Sequence, residues 1–385
     1  MKIAFLTTDN REPFQDHANP QPWFGTAPEA LLQGFAQLPD VEVHVVSCLR
    51  RPAPAPPKLA GNIWYHGLVV PKWGWMTTGF QGCIRAVRHK LREIQPDLVH
   101  GQGTEREAAM AAVFSGRPNV VTLHGNMRSV ARALGARPFS YNWLAARLEA
   151  FVLPRTDGVV CISNYTRQAV GGLARRTWLA PNAVDAAFFE VRRAPASPPV
   201  VLCVANVCDY KNQNGLIQAV DEWPGERPFQ LRFLGAAAEH TPYGREFLHR
   251  VRARPWCDWQ GPVGRDQLRA ELARAAAVIL PSLEDNCPMV VLEAMAVGVP
   301  VLGARIGGIP DLITPGRTGE LFDPRDPAAI RNALARCLQQ RAEAEQWAAQ
   351  ARTEAHERFH PAVIARKHLD IYREVLQNPR PRHHE

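Results

Sequence analysis

The stretch PSLEDNCPMVVLEAMAVGVPVLGARIGGIPDLITPGRTGELF, residues 281–322, decides how this chain is read. An apolar run, 276–280, ends at Pro281-Ser282, and an acidic loop follows with Asp285 in it. Pro288 suits the first position of a helix, where no backbone N–H is needed. The amides that come next, Met289 and Val290, then sit at the positive end of a helix dipole, a natural place for an anion. Glu293 lies further along the same helix in the apolar sequence VVLEAMAVGV, where no solvated face can be drawn. A buried Glu needs a partner, and a carboxylate accepts two hydrogen bonds from vicinal hydroxyls such as those of a sugar. A second apolar run, 299–302, leads to Gly307-Gly308. Strand, acidic loop, helix, strand and glycine turn together read as a site for a ligand with hydroxyls and phosphates.

Working outward, strands and helices alternate along the whole chain. Strands are expected at 3–7, 41–48, 97–100, 119–124 and 158–162, with a short one before Pro181-Asn182. Helices are expected at 28–37, 80–94, 104–114, 139–153 and from Ser163 onward. After the charged, Pro-rich EVRRAPASPP the pattern restarts, with strands at 200–205 and 229–234 and helices at 213–221, 242–254, 265–275 and 327–350. Such alternation implies α/β architecture with doubly wound parallel sheets, whose ligands lie at the carboxyl ends of the strands. The domain reading is 1–187, a linker 188–199, a second domain 200–360, and an amphipathic helix and tail 361–385.

Composition is that of an ordinary globular enzyme: 385 residues, 46% of them hydrophobic, enough for two cores. No apolar run approaches the roughly 18 residues of a spanning helix, and the N-terminus lacks the apolar length of a signal peptide. Eight scattered cysteines without a C-x-x-C pair read as reduced structural thiols of a cytoplasmic protein, and no metal site is expected. The net charge of +8 comes from 39 arginines against six lysines. The densest basic stretch is Arg85, Arg88, His89, Lys90 and Arg92, downstream of Trp73, Trp75 and Met76. It is either a solvated helix face or a peripheral contact with the inner face of the cell membrane. Nothing points to nucleic acid as a partner.

The segment quoted first resembles the C-terminal signature of the retaining, nucleotide-sugar-dependent glycosyltransferases of family 4, also called glycosyltransferase group 1, which have the GT-B fold. Their acid, seven residues, then Glu-Ala-Met-Ala matches Asp285 and Glu293 to Ala296. Their Gly-x-Pro-Val and Gly-Gly-x-Pro turns match Gly298 to Val301 and Gly307 to Pro310. This chain has Asp at 285 and 311 where Glu is usual, and Asn286-Cys287-Pro288 where Gly-Phe-Gly is common. The resemblance covers nearly the whole chain, most strongly from about 200 to 325.

It implies two Rossmann-like domains facing across a cleft, the first holding the acceptor and the second the donor, with residues 361–385 returning to the first. Lys211, after the strand 200–205, is implied to grip the donor diphosphate. The partner Arg of that clamp is replaced by Asn206, which can hydrogen-bond but cannot neutralise charge, and Arg305 is a candidate substitute. Asp285 would hold sugar hydroxyls, Glu293 the ribose diol, and His124, at the end of VVTLHG, would lie near the reacting sugar. Gly25-Thr26 matches the turn that approaches phosphate or acceptor, where a glycine permits close backbone contact. Pro288, Met289 and Val290 form the anion end of the helix. Ser163 to Thr166 and Pro181 to Asp185 match further landmarks, given structural roles.

The implied reaction is metal-independent transfer from a UDP- or GDP-sugar to a saccharide or lipid-linked acceptor in cell-envelope polysaccharide or glycolipid synthesis. No further cofactor is required, and no Asp-x-Asp motif is present. The competing readings are a non-catalytic sugar-nucleotide binder, which Asn206 favours, and a sugar-nucleotide epimerase or phosphorylase. A dehydrogenase is disfavoured by the lack of a G-x-G-x-x-G turn.

Overall fold

The computed structural model describes residues 1–378; the last seven residues of the expected tail, 379–385, lie outside the described residues. The chain divides into two compact units, one made of Met1–Ala183 with the segment from His360, the other of Val184–Phe359.

The first unit is built on eight strands: β1 (Lys2–Leu6), β2 (Glu42–Leu49), β3 (Lys58–Ala60), β4 (Ile63–Val69), β5 (Leu98–Gln102), β6 (Asn119–Leu123), β7 (Gly158–Cys161) and β8 (Thr177–Leu179). Their order across the sheet is β3-β4-β2-β1-β5-β6-β7-β8. Every pairing is parallel except β3 with β4. Parallel strands must be covered on both faces, and β1 alternates accordingly. Ile3 and Phe5 pack with Phe35, Ile364 and Tyr372 on one side. Ala4 and Leu6 pack with Val87, Leu91 and Ala108 on the other.

The helix Pro361–Gln377, which follows the entire second unit in sequence, lies against helix Thr26–Ala36 of the first. Gly34 makes that contact possible, since a Cβ there would stand 2.1 Å from the Pro361 carbonyl oxygen.

The second unit carries six strands: β9 (Val200–Val204), β10 (Gln230–Leu234), β11 (Cys257–Trp259), β12 (Ala277–Leu280), β13 (Val301–Ala304) and β14 (Glu320–Phe322). They are all parallel, in the order β11-β10-β9-β12-β13-β14. Both units are thus doubly wound α/β layers.

Four details differ from the sequence reading. Strands β3, β4, β11 and β14 were not expected: β3, β11 and β14 have three residues each, and β4 contains Gly67. The helix expected over 327–350 is two helices, Pro327–Gln339 and Arg341–Phe359, broken at Gln340. Pro288 is the N-cap of its helix, with extended ψ of 118°, and the helix proper starts at Met289. Segment 188–199, expected as a linker, is pinned to the second unit, where Ala194 and Ala196 donate their N–H groups to the carbonyls of Ala273 and Arg274. Among the described residues no disulfide forms, and seven of the eight cysteines are buried.

Candidate functional site

In the second unit the strand order reverses between β9 and β12, whose chain neighbours lie to opposite sides. The crevice beyond the carboxyl ends of such a pair is where doubly wound sheets hold ligands. Lys211 leaves β9 through a 3₁₀ turn, Asp209–Lys211, and Asp285 leaves β12 in the acidic loop. The two loops are tied by the Leu283 N–H, which donates to the Tyr210 carbonyl at 2.7 Å. Lys211 Nζ then donates to Asp285 Oδ2 at 2.5 Å. Ser282 Oγ donates to the same oxygen at 3.1 Å, and the Asn286 N–H to Oδ1 at 3.1 Å. Lysine and acid, 74 positions apart, form a mostly buried ion pair.

The glycine turn after β13 closes on this loop. Gly307 has φ +56°, and a Cβ there would meet the Asp285 carbonyl oxygen at 1.9 Å. Gly308 N–H donates to that oxygen at 3.0 Å. Only glycine satisfies both the left-handed backbone and the approach, so the turn fixes the loop carrying Asp285. Helix Met289–Val297 begins directly after, its first amides those of Met289 and Val290.

Glu293, in that helix, is 2% exposed. Its partner is Arg265, whose Nη1 donates to Oε1 at 2.5 Å, and Arg265 Nη2 lies 3.7 Å from Asp185 Oδ2. The guanidinium also rests over the Phe188 ring, 4.6 Å from its centroid. Burial pushes the Glu293 carboxyl above its usual range, Arg265 pulls it back, and Asp185 adds to the rise. Asn206 is exposed; its Oδ1 accepts from the Ala236 N–H at 3.2 Å. Arg305 is exposed too and donates to the Leu321 carbonyl at 3.3 Å.

In the first unit Gly25 caps helix Thr26–Ala36 with an ordinary φ of −68°. A Cβ there would meet only Pro28, at 3.5 Å, so the fold itself does not require glycine at 25. His124 follows β6. Its Nε2 lies 2.8 Å from Gln102 Oε1 and therefore carries the proton, and the Asn182 side chain bonds to the same ring. Burial, with the nearby His368, holds His124 down to about 4, so it is a neutral imidazole at pH 7. Behind it Gln102 also reaches His100, which contacts Tyr372 OH at 2.6 Å and Thr122 Oγ1 at 2.7 Å. Ser163 caps helix Asn164–Val170 by accepting from the Thr166 N–H at 3.0 Å.

The structure thus brings Lys211 and Asp285 into contact, sets Met289, Val290 and Glu293 on the helix that follows, and leaves Gly25, Thr26 and His124 to the other unit. Sequence reasoning missed Arg265 and Gln102. A buried Glu demands a cation, but that the cation would be the Arg after Gly264, 28 positions upstream, is legible only once helix Arg265–Arg274 is placed.

Residues 29–188 match the family model described as Glycosyltransferase Family 4, and residues 185–354 the one described as Glycosyl transferases group 1. Glycogen synthase of Mycobacterium tuberculosis is 25% identical over 303 residues, covering 76% of this chain and 72% of that protein. D-inositol 3-phosphate glycosyltransferase of Streptomyces avermitilis is 40% identical over 84 residues, 22% of this chain and 17% of that one. Sucrose-phosphate synthase from Thermosynechococcus elongatus superposes with TM-score 0.76 at 19% identity, covering 98% of this chain and 99% of that chain. Anabaena HepE in complex with UDP and glucose gives 0.73 at 20% identity, covering 97% and 100%.

Proposed function

This chain belongs to the glycosyl transferases group 1 of GT-B fold, and from that premise we propose that it moves a sugar from a nucleoside-diphosphate donor to a hydroxyl acceptor with retention of anomeric configuration. The observation that carries the reading is the Lys211–Asp285 pair at the switch point of the second sheet, directly before the N-terminus of helix Met289–Val297. Lys211 takes the charge that develops on the departing diphosphate, and the amides of Met289 and Val290 take the rest. An incoming diphosphate competes with Asp285 for the ammonium and releases the carboxylate to the sugar hydroxyls. Glu293, held by Arg265, accepts from the ribose diol. As the bond from the anomeric carbon to the diphosphate breaks, a diphosphate oxygen takes the proton of the acceptor hydroxyl, which bonds to the same face.

His124, being neutral, positions rather than shuttles protons. With lysine and helix amides supplying the positive charge, the reaction needs no metal ion and no further cofactor. HepE, crystallised with UDP and with UDP-glucose, favours a uridine donor over a GDP-sugar. The family resemblance favours envelope polysaccharide or glycolipid as the product, made in the cytoplasm or at the inner face of the membrane. Asn206, exposed and uncharged where the family has Arg, favours a second reading, a sugar-nucleotide binder without turnover.

Thermal stabilisation by UDP, GDP, ADP and CMP, with and without chelator, tests this. Selective stabilisation by one diphosphate, about 2.7 kcal/mol at a hundredfold excess over Kd and indifferent to chelator, is expected. It should fall by roughly tenfold to a hundredfold in affinity in Lys211→Ala. A folded protein that none of the nucleotides stabilises would overturn the donor assignment. Binding without transfer or donor hydrolysis would leave only the binder.

A further inference from the structure

The first unit has a cavity of about 830 Å³ that the donor chemistry does not use. Its lining comes from loops after three strands: Arg50 after β2, Trp73, Met76 and Phe80 after β4, and Arg106 after β5, with Tyr141 added from a helix start. Those are carboxyl ends of strands around the point where this sheet's order also reverses, the place for a ligand. The size is that of a small-molecule site, within roughly 300–1,000 Å³.

Its chemistry is lopsided. Trp75 is buried, its Nε1 donating to the Val70 carbonyl at 3.1 Å. Both arginines stack on this one ring, Arg50 at 5.0 Å and Arg106 at 5.7 Å from its centroid. Each is ion-paired through its Nε, Arg50 with Glu12 at 3.4 Å and Arg106 with Glu107 at 3.6 Å. Among the described residues the Nη groups of neither guanidinium make a hydrogen bond, so those donors are left for a ligand. Two guanidiniums facing one cavity present Nη donors to the oxygens of a phosphate monoester. The rest of the wall is apolar and wet: Trp73 is 65% exposed and Tyr141 51%. Directly after Phe80 comes helix Gln81–Ile94, which buries Cys83, Ile84, Val87 and Leu91 and turns Arg85, Arg88 and Arg92 to solvent.

We propose that this pocket is the acceptor site and that the acceptor is a phosphate-bearing lipid, its phosphate on Arg50 and Arg106 and its first apolar carbons against Trp73, Met76, Phe80 and Tyr141. The proposal rests on the transferase reading and names its acceptor class. The bare basic face of the adjoining helix favours a lipid over a soluble saccharide, because an anionic lipid surface is what such a face attracts. A free saccharide would want hydroxyl acceptors, and the carboxylates beside the pocket, Glu12 and Glu107, are buried and engaged by the arginines.

The test is calorimetric titration of the full chain with dodecyl phosphate below its micelle concentration, with dodecyl maltoside and inorganic phosphate as separate probes. Dodecyl phosphate should bind at least roughly tenfold more tightly than either. Arg50→Gln with Arg106→Gln should weaken it by about tenfold or more, and Trp73→Ala, at an exposed position, severalfold. Equal binding of the maltoside, or a Trp73→Ala and an arginine variant that bind like the parent chain, overturns the proposal. Stabilisation by whichever of UDP, GDP, ADP or CMP the chain selects, read on the same samples, belongs to the second unit. Its presence with a failed lipid titration sinks the acceptor class alone, and its absence with a successful one sinks the transfer reading alone.

Discussion

Glu293 places a charge where charge is expensive, and one arginine makes that tolerable. Truncating it and truncating its partner therefore have different outcomes. Glu293→Ala removes the carboxylate together with the cost of burying it, so the melting temperature should change little while donor KM rises roughly tenfold to a hundredfold, the range of a lost charged hydrogen bond. Arg265→Met leaves the carboxylate buried without its cation, which costs about 3–5 kcal/mol of stability. Denaturant unfolding of both variants checks the contrast; an unfolded Glu293→Ala would mean a core role instead. At this scale Asp285, Lys211 and Glu293 could be read from sequence because each breaks the local pattern: an acid before a helix, one of six lysines in an arginine-rich chain, and a Glu inside an apolar run. Arg265 breaks no pattern, being one arginine among 39. Its role comes from a long-range neighbour, which spacing does not encode.

Among the elements, long periodic helices and the apolar strands around β1 and β9 declare themselves by composition. The three-residue strands β3, β11 and β14 do not, since so short a run carries no period. The break at Gln340 is likewise hidden, because the Ala/Arg/Glu sequence on both sides favours helix and no Gly or Pro marks the stop. Helix Thr26–Ala36 gives the sharpest test of packing. Gly34→Val would drive methyl groups into the Pro361 backbone, which cannot rotate away as a side chain could. A loss of about 1–3 kcal/mol or more is expected by thermal denaturation. Ala36→Val, at the exposed last residue of the same helix, should cost a few tenths of a kcal/mol, the difference in helix propensity.

The buried histidines of the first unit contribute acid sensitivity, set against Glu105, Glu107 and Glu149, whose carboxyls burial raises and which favour the folded chain as pH falls. Burial holds His124 and His368 down to about 4 and lowers His100 as well. Above pH of about 6.5 folded and unfolded chains are both neutral at these positions. As pH falls below that, the unfolded chain gains protons that the folded one refuses, and stability drops until the folded values near 4 are reached. The slope is up to about 1.4 kcal/mol per pH unit for each histidine. Melting temperature between pH 7.5 and 4.5 measures it, and His368→Phe, whose ring sits beside Phe35, should flatten the curve. The two-lobed plan was legible in the restart of alternation after residue 199; the attachment of 188–199 was not, because backbone hydrogen bonds to Ala273 and Arg274 leave no mark on side-chain identity. The helix Pro361–Gln377, packed into the first unit's core, also sets an order of events at the ribosome. Everything from 184 to 359 emerges before that helix does, so the second unit can close while the first still waits with one face of its sheet covered by helix Thr26–Ala36 but not yet by its partner. At about 5–20 residues per second the wait is roughly 10–35 s, a window in which the earliest-made half of the protein is the half most in need of a chaperone.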